Sequence, residues 1–263
     1  SRFSEYRNYN HDIQVMMRFI RQKYNLNFGV MVQPQQSKYI QDYQGVHVDT
    51  VRNVVNVSPT LDFRYRFSKM SNLRINYRGT TSQPSISQLL DITDNSDPLN
   101  ISMGNPGLKP SFTQNFRLFY NNFVQNHNKG IMTFVNFSTT NNSISNKVTY
   151  DETTGGRITR PENINGNWNA MGAFMFNCSI DSAGVWNINT GAHANYNNYV
   201  SYLSLDKKSD SQKNTTRSIT WRQNLSFSYR NDWAEFSLDG TLTYNKAKNK
   251  LQPTSNLETW QFS

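Results

Sequence analysis

Four histidines, one cysteine and two pairs of loop acids are the residues of this 263-residue chain with the most to offer chemically. His11, His47, His127 and His193 share no metal-ligand spacing, and Cys178 has no second thiol. Neither a zinc site nor a disulfide framework is therefore expected. His127 falls in a candidate tight turn and His193 on a polar strand face, where a solvated imidazole is the simpler reading. Asp94 and Asp97 share one loop, and Asp151 and Glu152 another. Acid–base work by paired carboxylates needs two groups converging on one bond, whereas acids in polar loops are ordinarily just hydrated. There is no G-x-S-x-G, no phosphate-cradling glycine loop and no H-E-x-x-H. The chain reads as a non-enzyme: no residue is assigned as catalytic, cofactor-binding or metal-binding, and no cofactor is expected.

What these residues sit on is told by period and composition. Charged residues make up 17% of the chain, against roughly 25% in an average soluble domain. Aromatics reach 13%, too many for a disordered tail. Gly 13 and Pro 8 exclude a collagen-like chain. Mean hydropathy is −0.73, and no run approaches the roughly 18–20 apolar residues of a membrane helix. A membrane protein built of strands is untouched by that exclusion.

Alternation of period two dominates. Leu61, Phe63, Tyr65 and Phe67 interleave with Asp62, Arg64 and Arg66. Leu73, Ile75 and Tyr77 then interleave with Arg74, Asn76 and Arg78. The same pattern covers Ile13–Phe19, Leu26–Val32, Phe116–Tyr120, Ile131–Phe137, Trp168–Ile180, Trp186–Tyr196, Ile219–Tyr229 and Ala234–Tyr244. The four runs from Trp168 onward last 11–13 residues, enough for a tilted strand to cross a bilayer, where sandwich strands average about 5–6. Short connections at Ser68–Asn72, Gln125–Gly130, Asp181–Gly184 and Arg230–Asp232 alternate with long polar ones at Ser82–Ser111, Asn142–Gly166, Leu203–Arg217 and Lys246–Asn256. Short turns at one rim and long loops at the other are the mark of an outer-membrane barrel. The expected fold is all-β: an antiparallel up-and-down transmembrane β-barrel segment of about 10–12 strands spanning residues 1–263.

The face assignment follows from cost, because an Arg on the lipid side at mid-depth costs about 2–4 kcal/mol. Phe63, Tyr65, Leu73, Ile75, Leu118, Phe174, Phe176, Trp221, Phe227, Phe236 and Leu238 are expected to face lipid. Arg64, Arg66, Arg74, Arg78 and Arg222 are expected to face the lumen. Trp168, Tyr196, Trp221, Tyr229, Trp233 and Tyr244, near strand ends, suit a membrane interface. The net charge of +9 raises nucleic acid as a partner. Such binding wants a contiguous basic stripe, and here clusters occur only at Lys207-Lys208 and Lys246–Lys250. A basic lumen or a loop near anionic lipopolysaccharide fits the scatter better, and no nucleic-acid partner is expected.

Residues 73–124 carry a more specific signal. Leu73-Arg-Ile-Asn-Tyr-Arg-Gly runs into Pro84-Ser-Ile-Ser-Gln-Leu-Leu90, and Gly104-Asn-Pro-Gly-Leu-Lys-Pro110 opens the next strand. This stretch resembles the barrel domain of TonB-dependent outer-membrane receptors, particularly the Bacteroidetes-type outer-membrane β-barrel family. The resemblance implies a Gram-negative outer-membrane location and lipid contact. It implies a 22-stranded barrel of which this chain is about half, and uptake of a bulky nutrient such as a glycan, peptide or iron chelate. A plug domain and a TonB-type energising complex would be partners. Ser1–Asn10 carries no initiator Met or signal segment, so the chain is expected to be a fragment whose plug and signal peptide lie outside it. The alternative class is a surface β protein with an adhesive or binding role, and a soluble lectin-like domain is third. The Pro- and Gly-rich motif residues read as loop architecture. Asp91, Asp94, Asp97, Tyr150 and Asp151 are candidate ligand contacts on the outer rim, with the substrate itself unknown. Asp91–Leu99 is expected to carry no strand pairing, so that its deletion would spare the barrel.

Overall fold

The computed structural model describes residues 3–43 and 45–263. Sixteen strands follow one another: β1 (Phe3–Asn10), β2 (Ile13–Ile20), β3 (Tyr24–Tyr43), β4 (Val46–Ser68), β5 (Ser71–Ser82), β6 (Thr93–Asp94), β7 (Asn100–Met103) and β8 (Ser111–Val124), then β9 (Lys129–Asn141), β10 (Ser143–Tyr150), β11 (Arg157–Ile164), β12 (Asn167–Ser179), β13 (Trp186–Leu203), β14 (Gln212–Arg230), β15 (Glu235–Asn249) and β16 (Leu257–Phe262). A single turn of helix, α1 (Ile86–Leu89), lies between β5 and β6. Twelve strands form one antiparallel sheet in the order β1-β3-β4-β5-β8-β9-β12-β13-β14-β15-β16, with β2 also paired to β3. From β3 onward every step in that order is to the next sheet strand in sequence, as the alternation of turns and loops requires. No pairing among the described residues joins β16 to β1 or β2, so both ends of the sheet are edges.

β1 and β2 are two parts of one traverse. β2 pairs with Asn25–Val32 and β1 with Gln35–Asp42 of the same strand. The interruption at His11–Asp12 faces Pro34, to whose carbonyl the His11 amide donates at 3.0 Å. Proline has no N–H to return that bond, so the ladder breaks there.

The sheet is a single layer. Its accessible surface is 17346 Å², where a soluble monomer of this mass would expose about 11,800 Å². Among the described residues the buried apolar side chains are Leu108, Ile164 and Val200, all at the long-loop rim. Phe174, Leu225, Phe236 and Leu238 are more than two-fifths exposed. A sandwich would bury those residues; a membrane barrel gives them to lipid.

Register confirms the two faces. Phe63 pairs with Ile75 and Ile75 with Leu118; Tyr65 pairs with Leu73; Phe227 pairs with Leu238, and Phe236 with Tyr229. The expected outward set therefore shares one face, with Arg64, Arg66, Arg74, Arg78 and Arg222 on the other. Tyr77, Phe116, Phe137, Trp168 and Tyr196 touch in sequence across five strands, with ring centroids 4.8–6.1 Å apart. Trp186 and Tyr229, at 4.5 Å, mark a second band near the tight turns. Ten residues of β13 separate Trp186 from Tyr196, which at about 3.4 Å per residue and about 45° of tilt is about 24 Å of depth. That matches the apolar band of roughly 25 Å between the aromatic girdles of an outer-membrane barrel.

Three readings are corrected. Gln33–Tyr43 and Val46–Thr60, to which the period gives no assignment, form the upper parts of β3 and β4, which reach 20 and 23 residues. A tilted strand needs about 9–11 residues to cross the bilayer, so this hairpin projects beyond it. The outward side turns polar there at Gln36 and Lys38. The expected loops Leu203–Arg217 and Lys246–Asn256 shrink to 204–211 and 250–256, because their polar flanks continue as strand above the apolar band. The third correction concerns Asp91–Leu99. Thr93 pairs with Met103 and Asp94 with Ser102, while β7 pairs in parallel with β11 and β11 with β10. Two long loops thus build one small four-stranded sheet, in the order β10-β11-β7-β6.

Candidate functional site

The inner wall divides into two halves of different chemistry. On β2, β4, β5 and β8 the inward positions include Arg18, Arg52, Arg64, Arg66, Arg74, Arg78 and Arg117. Alternation with the apolar residues places them there, and register stacks them. Arg64 lies directly opposite Arg74, Asp62 opposite Asn76, and Asn76 opposite Arg117. Among the described residues Asp62 alone supplies counter-charge there: its Oδ2 lies 3.4 Å from Arg74 and 3.7 Å from Arg64. Beyond β9 the inward residues are largely Asn, Ser and Thr, with His193 set opposite Arg222. A concavity of about 400 Å³ lies there, bounded by Asn169, Asn197, Ser138 and Tyr199.

The long-loop rim is held by the segments singled out in residues 84–110. Arg52 reaches up from β4 to donate to the Pro84 carbonyl (3.0 Å) and the Gln83 side chain (2.9 Å). The Gln88 side chain turns back to accept from the Ser85 amide at 3.0 Å, closing the single turn α1. Asn105 joins both loops: its amide donates to Gln88 (2.6 Å), its Nδ2 to Pro161 (2.9 Å), and its Oδ1 accepts from Arg160 (3.0 Å). Asn163 exchanges two bonds with Lys109, at 2.8 and 2.9 Å. A third loop is tied in where Val148 and Ser211 exchange bonds and the Tyr150 amide donates to Asp210 at 2.6 Å. These residues are architecture, as their Pro and Gly content implies.

The candidate ligand contacts lie on this rim, but several acids are engaged locally. Asp94 accepts from the Ser96 amide (3.1 Å), and that bond holds its carboxyl below the usual range. Asp97 is lowered by the Asn100 side chain (2.8 Å) and then by the Leu99 amide (3.0 Å). Asp151 is lowered chiefly by the Thr153 amide at 2.9 Å. The Arg157 amide donates to the Leu99 carbonyl at 2.8 Å, which sets the Asp97 and Asp151 turns side by side. Asp91 and Glu152 stay exposed.

The histidines do not converge. His11 faces Pro34, and His47 meets Asp42 beside the β3–β4 turn. His127 sits in the tight turn at φ 60° with Nδ1 3.1 Å from the Ser179 carbonyl. Cys178 lies on the lipid side opposite Ile188. Among the described residues no three His, Cys, Asp or Glu side chains gather into a metal site. Sequence reasoning missed Asn105, Asn163 and Arg160, whose roles depend on contacts more than fifty residues away in the chain.

A single-layer antiparallel sheet with one apolar face, two aromatic bands and a hydrated inner wall defines an outer-membrane strand protein. The chain belongs to the outer membrane protein beta-barrel family, whose match covers residues 7–262, and its place is the outer membrane. Among solved structures it is similar, distantly, to the crystal structure of the siderophore receptor PirA from Pseudomonas aeruginosa. Identity is 11% and the TM-score 0.44, over 98% of this chain and 56% of that one, so it spans about half that receptor's length. No curated protein matches it.

Proposed function

We propose that this chain is the wall of a TonB-dependent outer-membrane receptor that imports a bulky nutrient, with no catalytic step of its own. The observation that carries the reading is the rim: two long loops are woven into one sheet, set above a hydrated wall lined with Arg and Asn. A passive pore needs no such construction, whereas a receptor needs a preformed surface for first contact. The motif resemblance of residues 73–124 adds the TonB-dependent class, and with it a plug and an energising complex as partners. The second reading, an adhesive surface protein, draws on the β3–β4 hairpin that projects beyond the bilayer.

The test compares cells with and without the parent protein for depletion of glycans, peptides and iron chelates from the medium. The receptor reading expects one class to be depleted only when the protein is present, and the depletion to stop when the proton-motive force is dissipated. Depletion that continues without the force would make the protein a passive channel. Unchanged depletion, with loss of surface attachment, would make it an adhesin.

A further inference from the structure

The basic half of the inner wall asks for a partner. Arg64 and Arg74 are directly opposed across β4 and β5, an arrangement that is unfavourable for like charges. Asp62 is shared between them, and Arg18, Arg66, Arg78 and Arg117 have no ion-pair partner among the described residues. Among the described residues, the cationic inward positions on these strands are all arginine. Lysine would serve as a diffuse attractor of anions, whereas the guanidinium fork matches carboxylate and phosphate oxygens two at a time. The same wall holds a cavity of about 650 Å³ near the tight-turn rim, lined by Arg21, Lys23, Arg64, Arg66 and Arg74 and by no aspartate or glutamate. A second cavity, about 240 Å³, is lined by Arg18 and again by Arg64. On the opposite half Arg222 and Arg230 share the inner face with Glu235 and Asp239, so the charges there balance and the net positive field is confined to one side. These cations point away from the apolar face, which separates them from lipid headgroups.

We propose that the wall formed by β2, β4 and β5 is a binding site for a multivalent anionic solute, its phosphate or carboxylate groups bridging Arg64, Arg66 and Arg74. Asp62 is the internal competitor: it occupies two of the three guanidinium groups when no solute is bound. Reading that solute as the cargo rests on the receptor function proposed above; the binding itself does not.

The test is calorimetric titration of the parent protein in detergent micelles with pyrophosphate and, separately, citrate. Far-ultraviolet circular dichroism checks that every variant is folded. Binding of at least one anion is expected, weakened roughly tenfold or more in an R64Q/R66Q/R74Q variant and weakened by salt at about 0.3 M. D62N should bind several-fold more tightly, because the competing carboxylate is gone; a purely structural role for Asp62 predicts no gain. R222Q, on the charge-balanced half, should bind like the wild type. No binding of either anion, or equal weakening by R222Q and the triple variant, overturns the proposal. Pyrophosphate bound without citrate assigns the site to phosphate esters, and binding of both assigns it to anions generally. If binding follows these expectations while uptake by cells carrying the triple variant is normal, the anion site stands and its link to cargo fails.

Discussion

Asp181 shows how a single carboxylate fixes a tight turn. Its two oxygens accept from the Trp186 amide at 2.8 Å and the Val185 amide at 3.1 Å, and these bonds hold its carboxyl below the usual range, the Trp186 bond contributing most. The folded carboxyl thus titrates below the unfolded one. Its contribution is full above the unfolded value near about pH 4 and is lost as pH falls through the lower folded value. Protection of the Val185 and Trp186 amides relative to their intrinsic exchange rates, read by mass spectrometry, should fall in acid. Asp181→Ala should show low protection at every pH and lose that acid dependence. The lipid face offers a second residue-scale test. Leu118→Arg should cost about 2–4 kcal/mol in vesicles, while Asn136→Arg, across the sheet on the inner wall, should cost far less. Urea titration of the two variants in phospholipid vesicles measures the difference; equal costs would erase the distinction between the faces, and a larger cost for Asn136→Arg would invert them.

Among the elements, the rim sheet depends on close approach at Gly104. A Cβ there would stand 1.7 Å from the Leu90 carbonyl oxygen, so Gly104→Ala must push the helix turn away from β7. Proteinase K should then cut between Asp91 and Leu99 while the transmembrane sheet keeps its circular dichroism signal. Deleting Asp91–Leu99 should have a related effect. It removes β6 and the Leu99 carbonyl that receives the Arg157 amide, so β11 loses part of its support along with any ligand contact. A deletion mutant whose 142–166 loop stays protease-resistant would show the two loops to be independent.

The whole molecule is oriented by its connections. The turns 21–23, 69–70, 125–128, 180–185 and 231–234 lie at one rim, and the 83–110, 142–166, 204–211 and 250–256 segments at the other. In a Cys178→Ser background, a cysteine at Thr154 should react with a membrane-impermeant maleimide on whole cells, and one at Asn231 only after lysis. The reverse pattern would turn the protein over in the membrane and remove the loop sheet from first contact with solute.

The one-dimensional pattern was sufficient for class, faces and rims. A sheet buried in lipid on one side and water on the other imposes period two on every crossing, and Leu73-Arg-Ile-Asn-Tyr-Arg displays it without any knowledge of neighbours. The same logic fails above the bilayer. Once both faces of a strand meet water, Gln33–Tyr43 and Gln212–Arg217 need no apolar alternation, so the first goes unassigned and the second reads as loop, although both pair in unbroken register. What only the tertiary structure decided is long-range polar matching: Asn105 with Pro161 and Arg160, Asn163 with Lys109, Ser211 with Val148. Such bonds depend on which loops the barrel brings together, and a side-chain amide leaves no periodic trace of the partner it will find. The charge of the inner wall belongs to both levels. Alternation puts each arginine on the inside, but only register sets Arg64 opposite Arg74 with one aspartate between them, because side-by-side placement is a property of pairing across strands.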